Sequence, residues 1–332
     1  MKKLILAPFL FAGLAYLAFA NKHMENDSLL ISLESFKSSS AKCTYLLESY
    51  QSALEEDEAY IWHLIIATSG EHHSDSCLMI AYRSKAIKHY QRYEIDSAKF
   101  SFLQSAHYAS RHRDSIQEVS AYANVAFMHT LLGHQDSAIF LYKKVLENYE
   151  MLGEDRYAAN TYLNLGRQYG DLGMIAEAIP MYYKAIDIFN TYEDTIGLAY
   201  AYNNMGNLYN TIKDKDNAVS FLQEAYRLKL ALGDPKDIGR ALFNLSLPFH
   251  PMYEKDSINK YLQKSLEIAE SLNDSIELAA IWNNLGVLAT KHQQCQEAIP
   301  FLRRALAVRN GAENQYPKVQ VLYHTLQLNL QL

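Results

Sequence analysis

Three five-residue segments decide the fold. They read YLNLG at residues 162–166, YNNMG at 202–206 and WNNLG at 282–286, and residues 123–126 and 243–246 keep the same forty-residue register. A column of small residues recurs at this spacing with one exception, Ile258: Ala98, Ala138, Ala178, Ala218, Ile258 and Ala298. A bulky column follows it by four residues: Phe102, Tyr142, Tyr182, Leu222, Leu262 and Leu302. Self-similarity at a fixed period of this length is typical of a repeat architecture.

Each repeat predicts two helices. In the third repeat, Tyr162, Leu165 and Tyr169 fall on one face of a helix with a period of 3.6 residues. A break is expected at Gly173, because glycine readily adopts the left-handed conformation that ends helices. The second helix has its own apolar face, formed by Ala178, Ile179, Tyr182, Ala185 and Ile186. The sequence therefore predicts an all-α fold built of repeated helix pairs.

Acidic residues mark the joints between the predicted helices. Those expected to cap the first helices are Asp114, Glu154, Asp194, Asp234 and Asp274. Those at the start of second helices are Asp96, Asp136, Asp216 and Asp256. A carboxylate at a helix start accepts hydrogen bonds from free backbone N–H groups and favours the positive end of the helix dipole.

The repeat resembles the tetratricopeptide repeat. The best copy, residues 159–198, has the family's residues at the family's spacing: Tyr162, Leu165, Gly166, Tyr169, Ala178, Tyr182 and Ala185. The forty-residue period is similar to that of kinesin light chains, quorum-sensing peptide receptors and exported sensor regions of bacterial regulators. The resemblance implies a right-handed superhelical solenoid of antiparallel helix pairs. It also implies a scaffold that binds a peptide or a protein.

Four regions are predicted along the chain. Residues 1–20 are expected to be a signal peptide, 21–78 amino-terminal helices including a degenerate repeat, 79–318 six repeats of forty residues, and 319–332 a carboxy-terminal helix. The fifth repeat departs from the pattern, because Pro248 and Pro251 lie inside its first helix. Since proline removes an N–H and clashes with the preceding turn, that helix is expected to kink or end near Leu247.

The amino terminus predicts export, with a periplasmic location. Lys2 and Lys3 precede an apolar run over residues 4–17, and the Ala-Phe-Ala motif at 18–20 fits a cleavage site that would leave Asn21 first. The alternative is an uncleaved membrane anchor, which the short apolar run disfavours, since a span needs about 20 residues. We expect no membrane insertion after cleavage.

Three cysteines are present, Cys43, Cys77 and Cys295, an odd number for an exported protein. A Cys43–Cys77 bridge is compatible with the sequence, but the spacing resembles no disulfide framework, so buried thiols are the favoured interpretation.

Composition and motifs argue against several functions. The net charge of −6 gives no general reason to expect a nucleic-acid partner, which needs a clustered basic surface. The sequence has no glycine-rich phosphate loop, HExxH motif or nucleophile elbow. The run from Glu71 to Asp75 holds metal-capable side chains, but adjacent loop residues seldom converge on one ion. We therefore expect a protein that is not an enzyme and has no catalytic residues, cofactor or metal.

One polar position recurs on the predicted first helices. Asparagine occupies it in five successive repeats: Asn124, Asn164, Asn204, Asn244 and Asn284. The family resemblance implies that these residues point into a concave groove. There a primary amide can pair with both the N–H and the C=O of an extended peptide. The alternative is that the amides bond between neighbouring helices and serve the scaffold.

Side chains beside this column are expected to supply selectivity. They are Asn160, Arg167, Asn203, Asn207, Asn283 and Lys291. Arg167 is the best single anchor for a carboxylate, because its guanidinium donates two parallel hydrogen bonds.

The residues together predict an exported scaffold that binds an extended peptide or a protein partner in its groove. The alternative function is a sensor or input component of a bacterial signalling or transcription-regulatory system that acts through a separate output protein, since such repeat arrays resemble the input regions of longer regulators.

Overall fold

The computed structural model describes residues 38–53, 55–72, 74–247, 255–291 and 294–310, together with Leu33 and Phe36. Within these ranges the chain forms fourteen α-helices and no β-strand, which confirms the predicted all-α class. The predicted signal peptide at 1–20 and the predicted carboxy-terminal helix at 319–332 lie outside the described residues.

The first seven helices are α1 (Ser39–Ser52), α2 (Glu55–His72), α3 (Asp75–Gln91), α4 (Ile95–His112), α5 (Ser115–Leu131), α6 (Gln135–Leu152) and α7 (Asp155–Asp171). The second seven are α8 (Ile175–Thr191), α9 (Thr195–Thr211), α10 (Lys215–Leu232), α11 (Pro235–Ser246), α12 (Lys255–Ser271), α13 (Ser275–Lys291) and α14 (Cys295–Asn310).

The chain divides into two compact units, Met1–Asn148 and Tyr149–Leu332. The boundary falls within α6. We call these two units the amino-terminal unit and the carboxy-terminal unit. In the carboxy-terminal unit each first helix packs on its own second helix, as in the pairs α7–α8 and α9–α10, and each second helix packs on the next first helix.

The helix starts keep the period that the sequence predicts. First helices begin at Asp75, Ser115, Asp155, Thr195, Pro235 and Ser275, each forty residues after the last. Second helices begin at Ile95, Gln135, Ile175, Lys215, Lys255 and Cys295, twenty residues after their partners. Six predicted helix pairs are therefore present between Asp75 and Asn310.

The turns that end these helices share one backbone geometry. At the end of α7, Gly173 has φ +72°, the Met174 N–H donates to the Tyr169 carbonyl at 2.8 Å, and the Gly173 N–H donates to the Gly170 carbonyl at 3.0 Å. These are the two hydrogen bonds of a Schellman motif. The break expected at Gly173 is thus confirmed. Left-handed residues close eight further helices, and these residues are spaced at multiples of twenty: Tyr93, Arg113, Gly133, Gly153, Glu193, Lys213, Gly233 and Asn273.

Carboxylates cap most of the first helices. The Asp194 side chain accepts a hydrogen bond from the Gly197 N–H at 2.8 Å, and Asp114, Asp234 and Asp274 accept equivalent bonds. The prediction is wrong for Glu154, whose side chain makes no capping bond. Glutamate is one methylene longer than aspartate and is not among the preferred N-cap residues.

The small residues of the first helices allow the paired helices to approach closely. A Cβ atom added to Gly206 would lie 2.6 Å from Cγ of Leu222, and one added to Gly286 would lie 2.6 Å from Cγ of Leu302. Carbon atoms in contact normally lie about 3.5–4.0 Å apart. Small residues therefore recur at this position of the first helices, because the bulky column on the paired second helix fills the space beside it.

The fifth repeat is interrupted where its prolines predict. α11 has 12 residues, whereas α7, α9 and α13 have 17 each. It ends at Ser246 with Leu247 as its C-cap, so the expected early end near Leu247 is confirmed.

The expectation of free buried thiols is wrong for two cysteines. Cys43 on α1 and Cys77 on α3 form a disulfide, with their Cα atoms 6.1 Å apart. α1 packs on α3 as well as on α2, and both cysteines belong to the apolar core that these three helices share. The sequence spacing could not indicate this, because the pairing arises from the packing of helices that are not consecutive.

Candidate functional site

The asparagine column lies on the first helices, as the resemblance implies. In the carboxy-terminal unit, Asn164 is on α7, Asn204 on α9, Asn244 on α11 and Asn284 on α13, and all four side chains are half-buried. α9 contacts both α7 and α11 directly, so the positions of Asn164, Asn204 and Asn244 form a row across three neighbouring first helices. Asn124 occupies the same position on α5, in the amino-terminal unit.

Most of these amides are available to a ligand. Within the described part of the chain, the side chains of Asn164, Asn204 and Asn284 make no hydrogen bond, and neither does that of Asn124. Each amide therefore presents both its donors and its acceptor. A scaffold role of tying neighbouring helices together is not what these four side chains perform.

Asn244 behaves differently. Its side-chain N–H donates to Oδ1 of Asn203 at 2.7 Å, which links α11 to α9. Asn203 is itself only 9% exposed. At this position the amides bond to one another, so the inter-helix role considered for the column applies to Asn244 and Asn203.

Two further amides keep buried acceptors without a donor. Oδ1 of Asn207 on α9 and Oδ1 of Asn283 on α13 are buried and have no hydrogen-bond partner among the described residues. Oε1 of Gln168 on α7 and the Nε1–H donor of Trp282 on α13 are likewise buried without a hydrogen-bond partner among the described residues. An unsatisfied buried polar group costs about 1–3 kcal/mol, so such atoms are normally paired with water or a ligand.

The remaining predicted groove residues differ in accessibility. Asn160 is exposed on α7, and Arg167 is half-buried on the same helix. Burial and the charge of Asp171 raise the pKa of the Tyr182 hydroxyl, while the Arg167 guanidinium lowers it, so Arg167 is partly engaged by its own repeat. Lys291 is the last residue of α13, and its side chain lies outside the described set.

Sequence reasoning missed a buried lysine in this unit. Lys229 on α10 is 2% exposed, and its ammonium lies 3.8 Å from the Asp237 carboxylate on α11 and 5.2 Å from the ring of Tyr200 on α9. The Tyr200 hydroxyl donates to the same carboxylate at 3.2 Å. Burial lowers the pKa of Lys229, while Asp237 opposes this shift. Three helices therefore meet at one buried charge.

A signal for this lysine exists in the repeat register. In four other repeats its column is apolar and buried, with Ala109, Tyr149, Phe189 and Ala269, and the sixth repeat has Arg309 there. For three members of this column, the residue eight positions later faces it from the next first helix. In the carboxy-terminal unit, Tyr149 packs on Tyr157 with ring centroids 5.9 Å apart, the Phe189 ring covers Gly197, and Lys229 pairs with Asp237. A lysine in that column, followed eight residues later by aspartate, thus indicates an ion pair between two repeats.

No metal centre of three or more ligands is found in the described ranges, which contain no such group of His, Cys, Asp or Glu side chains. The side chains of Glu71, His72 and His73 are not among those that the structure describes. No helix between Ser39 and Asn310, as far as the structure describes them, is long and apolar enough to span a membrane.

Several solved structures superpose on this chain over most of its length. The apo form of RapI superposes with a TM-score of 0.68, at 10% identity over 83% of this chain and 98% of RapI. Aspartyl phosphate phosphatase F from Bacillus subtilis gives 0.60 at 15% identity, over 88% and 74% of the two chains. The apo quorum sensor NprR from B. thuringiensis gives 0.56 at 14% identity, over 89% and 95%. At these identities the similarity shows the fold alone.

No curated protein sequence matches the chain significantly. The sequence profile of the tetratricopeptide repeat, however, matches residues 157–231 and 259–310. Both segments lie in the carboxy-terminal unit, and the first includes the whole of residues 159–198, the copy in which the family's motif residues are best preserved. The resemblance that the motifs indicate is therefore confirmed there.

Proposed function

Because residues 157–231 and 259–310 are tetratricopeptide repeats, we propose that the carboxy-terminal unit binds an extended peptide segment of a partner protein along its first helices. The observation that carries the proposal is the set of amides without partners: Asn164, Asn204 and Asn284 with free side chains, and Asn207 and Asn283 with buried acceptors. A peptide backbone supplies both the N–H groups and the carbonyls that these amides require.

The dimensions suit an extended chain. Packed helices lie roughly 8–10 Å apart, and an extended peptide advances about 3.3 Å per residue. Each first helix would therefore meet about every third peptide residue. Since neutral amides recognise backbone rather than charge, this row gives affinity that depends little on sequence. Arg167 and Asn160 stand beside it as the side chains that can select among peptides.

The proposed role is non-enzymatic. A sensing function is the second candidate. The quorum sensor NprR shares the fold over most of both chains, which supports a regulator that reports peptide binding to a separate output protein. A partner protein captured together with a bound peptide would favour this candidate over a scaffold that only holds the peptide.

The amide row is tested by replacing Asn164, Asn204 and Asn284 with Ala, singly and together. The probe is a library of random twelve-residue peptides, from which binders to the wild-type protein are selected. Each substitution is expected to weaken a selected peptide by about 1 kcal/mol, roughly fivefold in Kd, with the melting temperature almost unchanged. Isothermal titration and thermal unfolding measure the two effects.

Asn244→Ala is the matched control, because it removes the same amide from a position where it bonds to Asn203. This variant is expected to melt at a lower temperature while the selected peptides bind with little change. If the triple variant binds the peptides at wild-type strength, the first helices do not form the binding surface and the proposal fails.

We also propose that the protein is exported. The basic start, the apolar run over 4–17 and the cleavage motif at 18–20 support this, and so does the Cys43–Cys77 disulfide, since disulfides persist mainly in oxidising compartments. Amino-terminal sequencing of the protein from its native host is expected to begin at Asn21. A mature chain that begins at Met1 in a soluble cytoplasmic fraction would contradict export.

A further inference from the structure

Each Schellman turn brings its first and sixth residues together. The sixth residue of each turn donates its N–H to the carbonyl of the first, so residues i and i+5 lie together at the end of the helix. In the carboxy-terminal unit the turn after α7 pairs Tyr169 with Met174 in this way. The pairs in the amino-terminal unit are chemically different. After α3 the turn brings His89 to Glu94, and after α5 it brings His129 to His134.

The two imidazoles of the second pair have the separation of ligands that share an ion. Nδ1 of His129 and Nδ1 of His134 lie 3.4 Å apart. Two nitrogens bound to a tetrahedral zinc at about 2.0–2.1 Å lie roughly 3.3–3.4 Å from each other. A hydrogen bond between two neutral imidazoles would be shorter, normally about 2.7–3.2 Å between the nitrogens. The spacing therefore fits a shared cation better than a shared proton.

The backbone holds both residues in place without a ligand. The His134 N–H donates to the His129 carbonyl at 2.9 Å, and the Gly133 N–H donates to the Thr130 carbonyl at 3.1 Å, with Gly133 at φ +76°. Met128, next to His129, is buried in the core beneath the turn. Because the backbone of the turn is fixed, a metal ion would need to order only the side-chain rotamers of His129 and His134.

The charges around the pair are mixed. The carboxylate of Asp96 on α4 lies close enough to act electrostatically on both imidazoles, and its negative charge favours a cation. The Lys99 ammonium forms an ion pair with that carboxylate at 2.8 Å, so its positive charge reduces the attraction of Asp96 for a cation. Both imidazoles are at least partly exposed, so water molecules can complete the coordination.

We propose that His129 and His134 form a two-histidine site for a borderline transition-metal cation, with Zn²⁺ as the reference ion and Cu²⁺ bound more tightly, as the usual affinity order requires. The site lies on the amino-terminal unit and does not depend on the peptide-binding role of the other unit. Sequence reasoning missed it because residues five apart in a chain come together only where a Schellman turn joins them.

The proposal is tested by measuring Zn²⁺ binding to the untagged protein. Isothermal titration and competition with a chromogenic chelator give the affinity. One Zn²⁺ per chain is expected for the wild type, and His134→Asn is expected to weaken it about tenfold or more, since even indirect partners of metal ligands contribute that much. Asparagine suits position 134, because His134 immediately precedes α6 and asparagine is a preferred N-cap residue. Thermal unfolding without metal checks that the variant is folded.

His107→Asn is the matched control, since His107 is an exposed single imidazole on α4, and it is expected to bind zinc as the wild type does. His129→Asn should reproduce the effect of His134→Asn. Equal zinc affinity in the wild type and in His134→Asn would place the ion elsewhere and overturn the assignment. Absence of saturable binding at millimolar zinc would show that the pair is only a pair of neighbouring imidazoles.

Discussion

Reduction of the Cys43–Cys77 disulfide is expected to lower the free energy of unfolding of the amino-terminal unit by about 3–4 kcal/mol. The bond closes a loop of 34 residues in the unfolded chain and so restricts the conformations available to it. It also joins α1 to α3 across the helix between them, so its loss should loosen the start of the repeat array first. Cys43→Ser should produce the same decrease without reductant.

Urea unfolding followed by tryptophan fluorescence measures this effect. The chain has two tryptophans, Trp62 in the amino-terminal unit and Trp282 in the other, so a Trp282→Phe background makes the signal specific for the unit of interest. Cys295→Ser is the control for the third cysteine and should respond to reductant as the wild type does. An unfolding midpoint that is the same with and without reductant would contradict the expected stabilisation.

Asp237→Asn is expected to destabilise the carboxy-terminal unit by on the order of 2 kcal/mol or more, because it leaves the buried ammonium of Lys229 without its counter-charge. The penalty is limited by the 3.8 Å separation and by the partial exposure of Asp237. Lys229→Met removes the buried charge instead and should be neutral or stabilising. Asp237→Asn in the Lys229→Met background should then have little effect, which a double-mutant cycle measures.

The same pair predicts a dependence of stability on pH. Burial lowers the pKa of Lys229 in the folded protein below its ordinary value of 10.5. Between these two pKa values the unfolded chain binds more protons than the folded one, so this contribution to stability increases as pH rises toward 10.5. Below the folded-state pKa the full penalty is present. The difference in unfolding free energy between Lys229→Met and the wild type should therefore shrink at alkaline pH. A difference that stays constant would show that Lys229 does not titrate in this way.

The helical architecture could be predicted from the sequence because it depends on periodic contacts. The columns that contain Gly206 and Leu222 recur in every repeat, so the same pattern indicates the same pair of helices each time. The two prolines of the fifth repeat could also be interpreted, since their effect on a helix is local. The capping role given to Glu154 failed for an equally local reason, the length of its side chain.

The details of the site could be predicted only in part. The asparagine column was visible because it repeats, but sequence alone could not separate Asn244, which bonds to Asn203, from Asn204, which does not. That difference depends on which side chain of the neighbouring helix lies opposite. The disulfide was misjudged for the same reason, as α1 and α3 are not consecutive. Lys229 was overlooked although it interrupts an apolar column, because a lysine on a helix is usually assumed to be exposed.

The facing pairs eight residues apart have a consequence for how such a chain can gain or lose repeats. The three pairs in the carboxy-terminal unit differ chemically: Tyr149 with Tyr157, Phe189 with Gly197, and Lys229 with Asp237. Excision of residues 155–194 would bring Tyr149 opposite Gly197 and so join members of two different pairs. Excision of 159–198 would remove Phe189 and Gly197 together and leave the other pairs intact. Units of forty residues that begin shortly after Tyr157, such as 159–198, therefore keep these facing pairs through duplication or recombination, whereas a unit that begins with the helix itself at Asp155 does not.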